Sequence, residues 1–267
     1  MNIVPTTTET VWEKRSHRFS DEGRGRLHSR PGEPLFLAGW EHVQFLHFEV
    51  DAEQLQRDVP FPLDLRDSKA YVSLVAFTMR DMRFRFGGQA LSWLLKPIAT
   101  HDFLNVRTYV RHGDERGIYF LTEWLSNWLS VQLGPLLYGL PYHHAEINYQ
   151  HASEAGRLSG QVETQNRRNN FAFRARLAPD TVLAPCKINS PDEFLLERYT
   201  AFTAHGSTRR FFRIWHPPWP QTRMEVVISD DSLLKQTWPW FSGARLVGAN
   251  YSAGFDEVWM GRAQRIR

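Results

Sequence analysis

Residues 103–124 read FLNVRTYVRHGDERGIYFLTEW. In the first half the side chains alternate: Leu104, Val106 and Val110 fall on one face of an extended chain, and Phe103, Asn105, Arg107 and Tyr109 on the other. The polar HGDERG turns the chain, and GIYFLTEW brings it back as an antiparallel partner. The hairpin sets the pattern for the rest. Upstream, VQFLHFEV (43–50) and KAYVSLVAFTM (69–79) are strands by their aromatic and β-branched content. A short helix between them, AEQLQRDV, is capped by Asp51 with Gln54 three residues on. Downstream, SNWLSVQLGPLLYG has helical apolar spacing that Pro135 ends or kinks. YHHAEINYQ follows as a strand, LSGQVETQ and FAFRARL form a hairpin about NRRNN, and Ser190-Pro191-Asp192-Glu193 opens a third helix. STRRFFRIW and RMEVVIS are strands, and DDSLLKQTW is a last helix; from Ser242 onward no element is readable.

Strands and helices do not alternate regularly, which disfavours a doubly wound parallel sheet. The pattern predicts an α+β chain with a mainly antiparallel, curved or barrel-like sheet and a few short helices. Residues 1–34, rich in Gly, Pro and charge, read as a polar tail, and residues 35–267 as a single domain.

Composition narrows the function. A net charge of +3, with arginines scattered along strands, argues against nucleic acid as a partner. One cysteine, Cys186, excludes an internal disulfide and any Cys-based zinc motif, and fits a reducing compartment. The first residues lack an apolar signal segment, and the greasiest run, 118–142, is broken by Glu123, Asn127, Gln132, Gly134 and Pro135, so no membrane span is expected. A soluble, cytoplasmic protein is the expectation. The 10 Trp and 18 Phe fit a packed core first and the walls of a small-molecule pocket second.

The run FEVDAEQLQRDVPFPLDL, the strand AYVSLVAFTM, then FLNVRTYV, GIYFLTEW, GLPYHHAE, FLLERYTAF and HPPWP occur in an order that resembles the bacterial YqjF-like proteins, the DUF2071 family, over about residues 40–230. That resemblance implies an acetoacetate decarboxylase-like fold: a closed or cone-shaped β-barrel of complex topology around a cavity. It also implies that Tyr142 and His143, behind Pro141, stand where the decarboxylase carries two lysines, the first forming the Schiff base and the second lowering its pKa. Neither a phenol nor an imidazole forms an imine with a ketone. The nearest lysines in sequence, Lys96 and Lys187, lie in other segments.

The candidate catalytic residues are Tyr142, His143 and His144. Adjacent histidines on a strand face opposite ways, so at most one shares Tyr142's side. Glu146 could join His144 at a metal, but no motif supplies a third ligand, and no metal and no cofactor are expected. The candidate substrate-binding residues are Arg107, Asn105, Tyr109, Glu197, His216 and Trp219. Arg107 either pairs with Glu197 or Glu146, the commoner fate of a buried arginine, or grips a substrate carboxylate. Glu197 orients a pocket residue or forms an exposed charge pair with Arg198. The proline-rigid His216–Pro220 segment places His216 and Trp219 at a pocket rim, or lets Trp219 cap the core. The apolar 124–138 segment is core, lid or partner surface.

The function expected is a barrel without the Schiff-base lysine that binds a small apolar or carbonyl-bearing ligand, with lysine-independent acid–base chemistry where it reacts. The alternatives are a non-enzymatic ligand-binding or sensor barrel, and a scaffold; self-association into a homo-oligomer stays open. Borohydride treatment in the presence of keto acids should leave every lysine unmodified by mass spectrometry; a reduced adduct on any of them would overturn this reading.

Overall fold

A computed structural model describes residues 18–87, 92–152, 155–164 and 169–266. The 103–124 hairpin is present as β3 (His101–His112) and β4 (Glu115–Leu125), antiparallel, with Asn105 opposite Glu123. β3 also pairs antiparallel with β2 (Ala70–Phe84), and β2 with β1 (Phe36–Val50). β1 pairs in turn with β13 (Arg245–Met260), the long strand that the sequence left unread. On the other side β4 runs parallel to β9 (Thr200–His205), which pairs with β10 (Thr208–Trp215). β10 then meets β13 at Ile214–Met260 and Trp215–Trp259, closing a ring β13-β1-β2-β3-β4-β9-β10. Three short strands attach to this sheet: β5 (Tyr142–His144) on β4, β11 (Gln221–Arg223) on β13, and β14 (Gln264–Arg265) on β10. A second, four-stranded antiparallel sheet is made by β6 (Glu146–Ala152), β7 (Arg157–Glu163), β8 (Asn170–Arg176) and β12 (Glu225–Asp230).

The alternation of each ring strand divides the core in two. One cluster takes residues from all seven ring strands, among them Phe45, Phe77, Phe103, Phe120, Ala201, Phe212 and Val258, and so fills the barrel interior. The other takes the opposite faces, including Leu74, Leu104, Val106 and Trp124, and packs them on Leu158, Phe171 and Phe173 of the second sheet. The two faces read from residues 103–110 thus serve two different cores.

Helices punctuate the strands where capping chemistry places them. In α1 (Arg18–His28) the side chains of Ser20 and Leu27 are buried. Before α2 (Ala52–Asp58), Asp51 accepts from the Gln54 N–H at 2.8 Å. α3 (Ser92–Leu95) runs on into a 3₁₀ turn, Lys96–Ile98. α4 (Trp128–Tyr138) starts at Asn127, which accepts from the Ser130 N–H, and stops at Gly139, whose left-handed φ of 71° suits glycine. α5 (Pro191–Leu196) is capped by Ser190, and α6 (Ser232–Thr237) covers the second sheet.

Three readings need correction. Residues 18–34 are not tail: Ser20 Oγ donates to the His216 carbonyl at 2.8 Å, and Trp215 Nε1 donates to the Ser20 carbonyl at 3.0 Å, so α1 is fastened to the barrel. Residues 1–17 of that segment, Gly88 and most of the NRRNN turn lie outside the described residues. Pro135 does not end its helix, which runs three residues further. YHHAEINYQ is two strands: the chain breaks at buried Ala145, whose N–H bonds to Leu125, and passes from the barrel to the second sheet.

The parallel β4–β9 joint is narrow, resting on Ile118–Ala201 and Tyr119–Phe202. Gly117 sits beside it, where an added Cβ would lie 2.5 Å from the Thr200 carbonyl oxygen and 2.6 Å from a Phe202 ring carbon. Replacing Gly117 by Ala should cost about 2–3 kcal/mol of unfolding free energy in urea titrations; an unchanged midpoint would show that the joint yields.

Candidate functional site

A β-bulge decides what faces the barrel interior. Strict alternation along β4 would put Ile118, Phe120, Thr122 and Trp124 on one face and Glu123 on the other. The register instead slips between Val106 and Arg107: Arg107 faces Phe120, while Val106 faces Thr122. Leu121 is the extra residue, and it packs toward the outer core. Phe120 and Glu123 therefore both point inward, and Glu123 joins a cavity of about 360 Å³.

The cavity wall is mostly apolar: Phe36, Trp40, Phe77, Met79, Phe103 and Phe212 are part of it. α4 forms one side through Ser130, Leu133, Gly134, Leu137 and Tyr138, beside Leu95 and Ile98. This cover is pinned at both ends. Asn127 Nδ2 donates to the Pro97 carbonyl at 2.7 Å, Tyr138 Oη to the Gly261 carbonyl at 2.9 Å, and Thr203 Oγ1 to the Tyr138 carbonyl at 2.7 Å. The outward side of α4 is apolar too, with Trp128 and Leu136 exposed.

Five residues of the wall carry polar atoms that are buried and lack a hydrogen-bond partner: Trp40 Nε1, His101 Nδ1 and Nε2, Asn105 Oδ1, Glu123 Oε1 and Ser130 Oγ. Buried polar atoms are ordinarily paired, so this concentration around one cavity marks it as a site. Burial pushes the Glu123 carboxyl well above its ordinary value, with the Arg107 charge pulling the other way. The shift favours the protonated form of Glu123, in which the carboxyl can donate a hydrogen bond. Tyr142 lies beside it on β5, and its phenol is raised well above its usual range by burial and then by Glu123. Gly134 makes room for the Tyr142 ring: a Cβ there would lie 2.2 Å from it. His101 is lowered to about 4 by burial, so its imidazole is neutral.

The DUF2071 model, described as an uncharacterized conserved protein, matches residues 37–239. The chain belongs to the DUF2071 family. The YqjF protein of Bacillus subtilis (strain 168) is 27% identical over 192 residues, 71% of this chain and 76% of the relative. Among solved structures, an acetoacetate decarboxylase-like enzyme from Sphingomonas wittichii RW1 superposes with a TM-score of 0.58 at 16% identity, covering 88% of this chain and 94% of that one. The acetoacetate decarboxylase of Legionella pneumophila gives 0.57 at 13% identity, covering 89% and 88%. The enduracididine biosynthesis enzyme MppR, complexed with a condensation product of pyruvate and imidazole 4-carboxaldehyde, gives 0.61 at 12% identity, covering 87% and 89%. The fold of this DUF2071 chain is that of the acetoacetate decarboxylase-like proteins.

Of the residues singled out from sequence, Asn105 and Tyr142 line the cavity of this DUF2071 chain. His143 and His144 do not: His143 is exposed, and neither belongs to the wall. The neutral histidine that does belong is His101, which opens β3. Arg107 lies deeper, donating to the Leu195 carbonyl at 3.2 Å with its guanidinium 5.5 Å from the Phe45 ring. It pairs with neither Glu197 nor Glu146, and among the described residues no carboxylate is within ion-pair distance of it. Tyr109 belongs to a buried chain: it bonds Ser73 Oγ at 2.5 Å and donates to Leu195, and Ser73 bonds His47 Nδ1 at 2.6 Å. Glu197, His216 and Trp219 form a separate group. Glu197 accepts from the Trp219 N–H at 2.9 Å and from the Tyr199 hydroxyl, and burial raises it to about 7. His216 stacks on Phe255 and meets the Trp219 ring at a tilt. Glu123, His101 and Ser130 were missed; a lone carboxylate inside an apolar strand was the signal for Glu123.

Two ligand classes meet obstacles. Among the described residues no group of three His, Cys, Asp or Glu could hold a metal. No described lysine lines the cavity: Lys96, the nearest in sequence to its wall, is exposed.

Burial holds His47 down to about 3, and its Nε2 lies 3.1 Å from Asn250 Oδ1. A depressed histidine contributes stability that is complete above its unfolded pKa of about 6.5 and lost as pH falls below it, because only the unfolded chain takes up the proton. Between pH 7 and pH 5 this one group should remove about 2 kcal/mol of stability. Urea titrations at the two pH values should show that loss shrink by about the same amount in His47→Gln; an equal loss in both proteins would refute the assignment.

Proposed function

We propose that the barrel binds a small, uncharged, largely apolar ligand bearing a carbonyl, and that Glu123 holds the carbonyl oxygen. The observation that carries this is one cavity of about 360 Å³ whose wall joins aromatic and aliphatic side chains to a buried carboxyl that burial favours in its protonated form, with no lysine or arginine among its described residues. A keto acid would bring a charge with no cation in the wall to meet it, at high desolvation cost. A ketone brings only an acceptor oxygen, and the wall offers donors from Glu123, Tyr142 and Ser130. Pyruvate complexes of MppR offer a parallel for carbonyl ligands on this fold, though not for the charged end.

The chemistry that fits is enolisation. Proton donation from Glu123 to the carbonyl oxygen would polarise the bond, and neutral His101 is the base within the same wall. The closed, apolar wall equally suits a protein that binds and releases its ligand unchanged. An exposed apolar patch with a filled barrel, which a scaffold would need, is only half present, because the barrel holds a cavity.

Titration calorimetry with 2-heptanone should show saturable binding, with heptanoate at least tenfold weaker. Glu123→Leu and Tyr142→Phe should each weaken 2-heptanone binding by roughly three- to tenfold, the worth of one neutral hydrogen bond. Loss of the ketone's α-protons in D2O, followed by NMR and abolished in His101→Gln, would mark the enzyme; binding without exchange would mark the carrier. Tighter binding of heptanoate than of the ketone would sink the proposal.

A further inference from the structure

A second cavity, of about 250 Å³, lies between α1 and the ends of the barrel strands, and its lining shares no residue with the first. Its inner wall is built around the ring of Phe194. Three guanidinium carbons stand over that ring, Arg198 at 4.3 Å, Arg116 at 5.2 Å and Arg66 at 5.9 Å from its centre. All four residues line the cleft, with Phe19 of α1 opposite.

The lining holds four arginines, Arg26, Arg66, Arg116 and Arg198, and five acids, Glu22, Asp114, Glu115, Glu193 and Glu197, and the arginines on Phe194 are unevenly paired. Asp64 is fully buried, and three arginines share it: Arg111 at 2.6 Å, Arg116 at 2.8 Å and Arg198 at 2.8 Å. Arg66 has only the exposed Asp67, at 3.6 Å, and the Asn189 carbonyl. Four of the acids have partners of their own. Glu22 pairs with Arg18 and, at 3.8 Å, with Arg26 of the cleft; Glu115 pairs with Arg26 and Arg213; Glu193 accepts from the Asn189 N–H, and Glu197 from Trp219 and Tyr199. Asp114 is exposed at the edge. Arg198 is 6% exposed, and its Nη2 has no hydrogen-bond partner although Nε and Nη1 are both occupied. Burial and the neighbouring positive charge of Arg116 lower it to about 10 despite Asp64. An unpaired donor on a buried cation costs free energy, which a bound anion would recover.

We propose that this cleft is a binding site for a small organic anion whose carboxylate or phosphate is gripped by Arg66, Arg116 and Arg198, with its apolar part on Phe194 and Phe19. Guanidinium forks match both oxyanions, and the ring supplies a flat apolar floor. The two linings have no residue in common, so its occupant would act as an effector or second ligand and not as the cavity's own.

Titration calorimetry of the full chain with phenyl phosphate and with benzoate, at pH 8 and constant ionic strength set with sodium chloride, tests this. At least one probe should bind saturably to the wild type. Arg66→Gln should weaken it fivefold or more, Arg66→Lys less, and Arg83→Gln, on an arginine paired with Glu257 outside the cleft, not at all. Arg66 is chosen because its side chain holds little of the fold together, and unchanged thermal unfolding without ligand will establish that each variant is folded. Binding of phenyl phosphate alone or of benzoate alone identifies the preferred oxyanion and supports the site. Absence of saturable binding by both probes, or equal affinity in wild type and Arg66→Gln, would overturn it.

Discussion

The structure depends on the closure of seven strands into a ring, and closure rests on its two least regular joints. Without them β13-β1-β2-β3-β4 would be an ordinary open antiparallel sheet of five strands with two free edges, and β9–β10 a separate hairpin. The parallel β4–β9 joint and the short β10–β13 contact remove those edges and give the sheet an inside. Once there is an inside, every inward side chain is separated from water, and the chemistry of the site follows from that. Burial pushes the Glu123 carboxyl up and the His101 imidazole down, both toward the uncharged form, and Arg107 donates to a backbone carbonyl.

The same separation acts differently on different side chains. A lysine amine is made nucleophilic by desolvation. Here the position beside the buried carboxyl is held by Tyr142, which desolvation makes less willing to ionise. An environment that would activate a lysine keeps a phenol protonated.

Much of this was legible in the residues. The 103–110 alternation separates the two cores, because a strand's period is enforced by backbone geometry alone. Asp51, Asn127 and Ser190 cap helices because capping is local chemistry. What could not be read depends on distant partners. α1 is polar and glycine-bearing, and its order comes from bonds to Trp215 and His216 nearly two hundred residues away. β13 carries Gly, Asn, Ser and Asp and gains its order from strands on both sides. His143 and His144 looked chemical by composition, but the chain leaves the barrel at Ala145, and the histidines stay outside the cavity. Glu123 was visible as an interruption, yet its direction hinged on a bulge with no residue signature.

That bulge is a matter of parity. Because inward and outward positions alternate, the extra residue at Leu121 exchanges the two sets for the remainder of β4. Straightening the strand in the intact chain would turn Glu123 out and its neighbours in, whereas removing Leu121 itself would leave Phe120 inward, Thr122 outward and Glu123 inward, as now. The seat of the carboxyl thus tolerates loss of the spare residue and does not tolerate a slip of the strand.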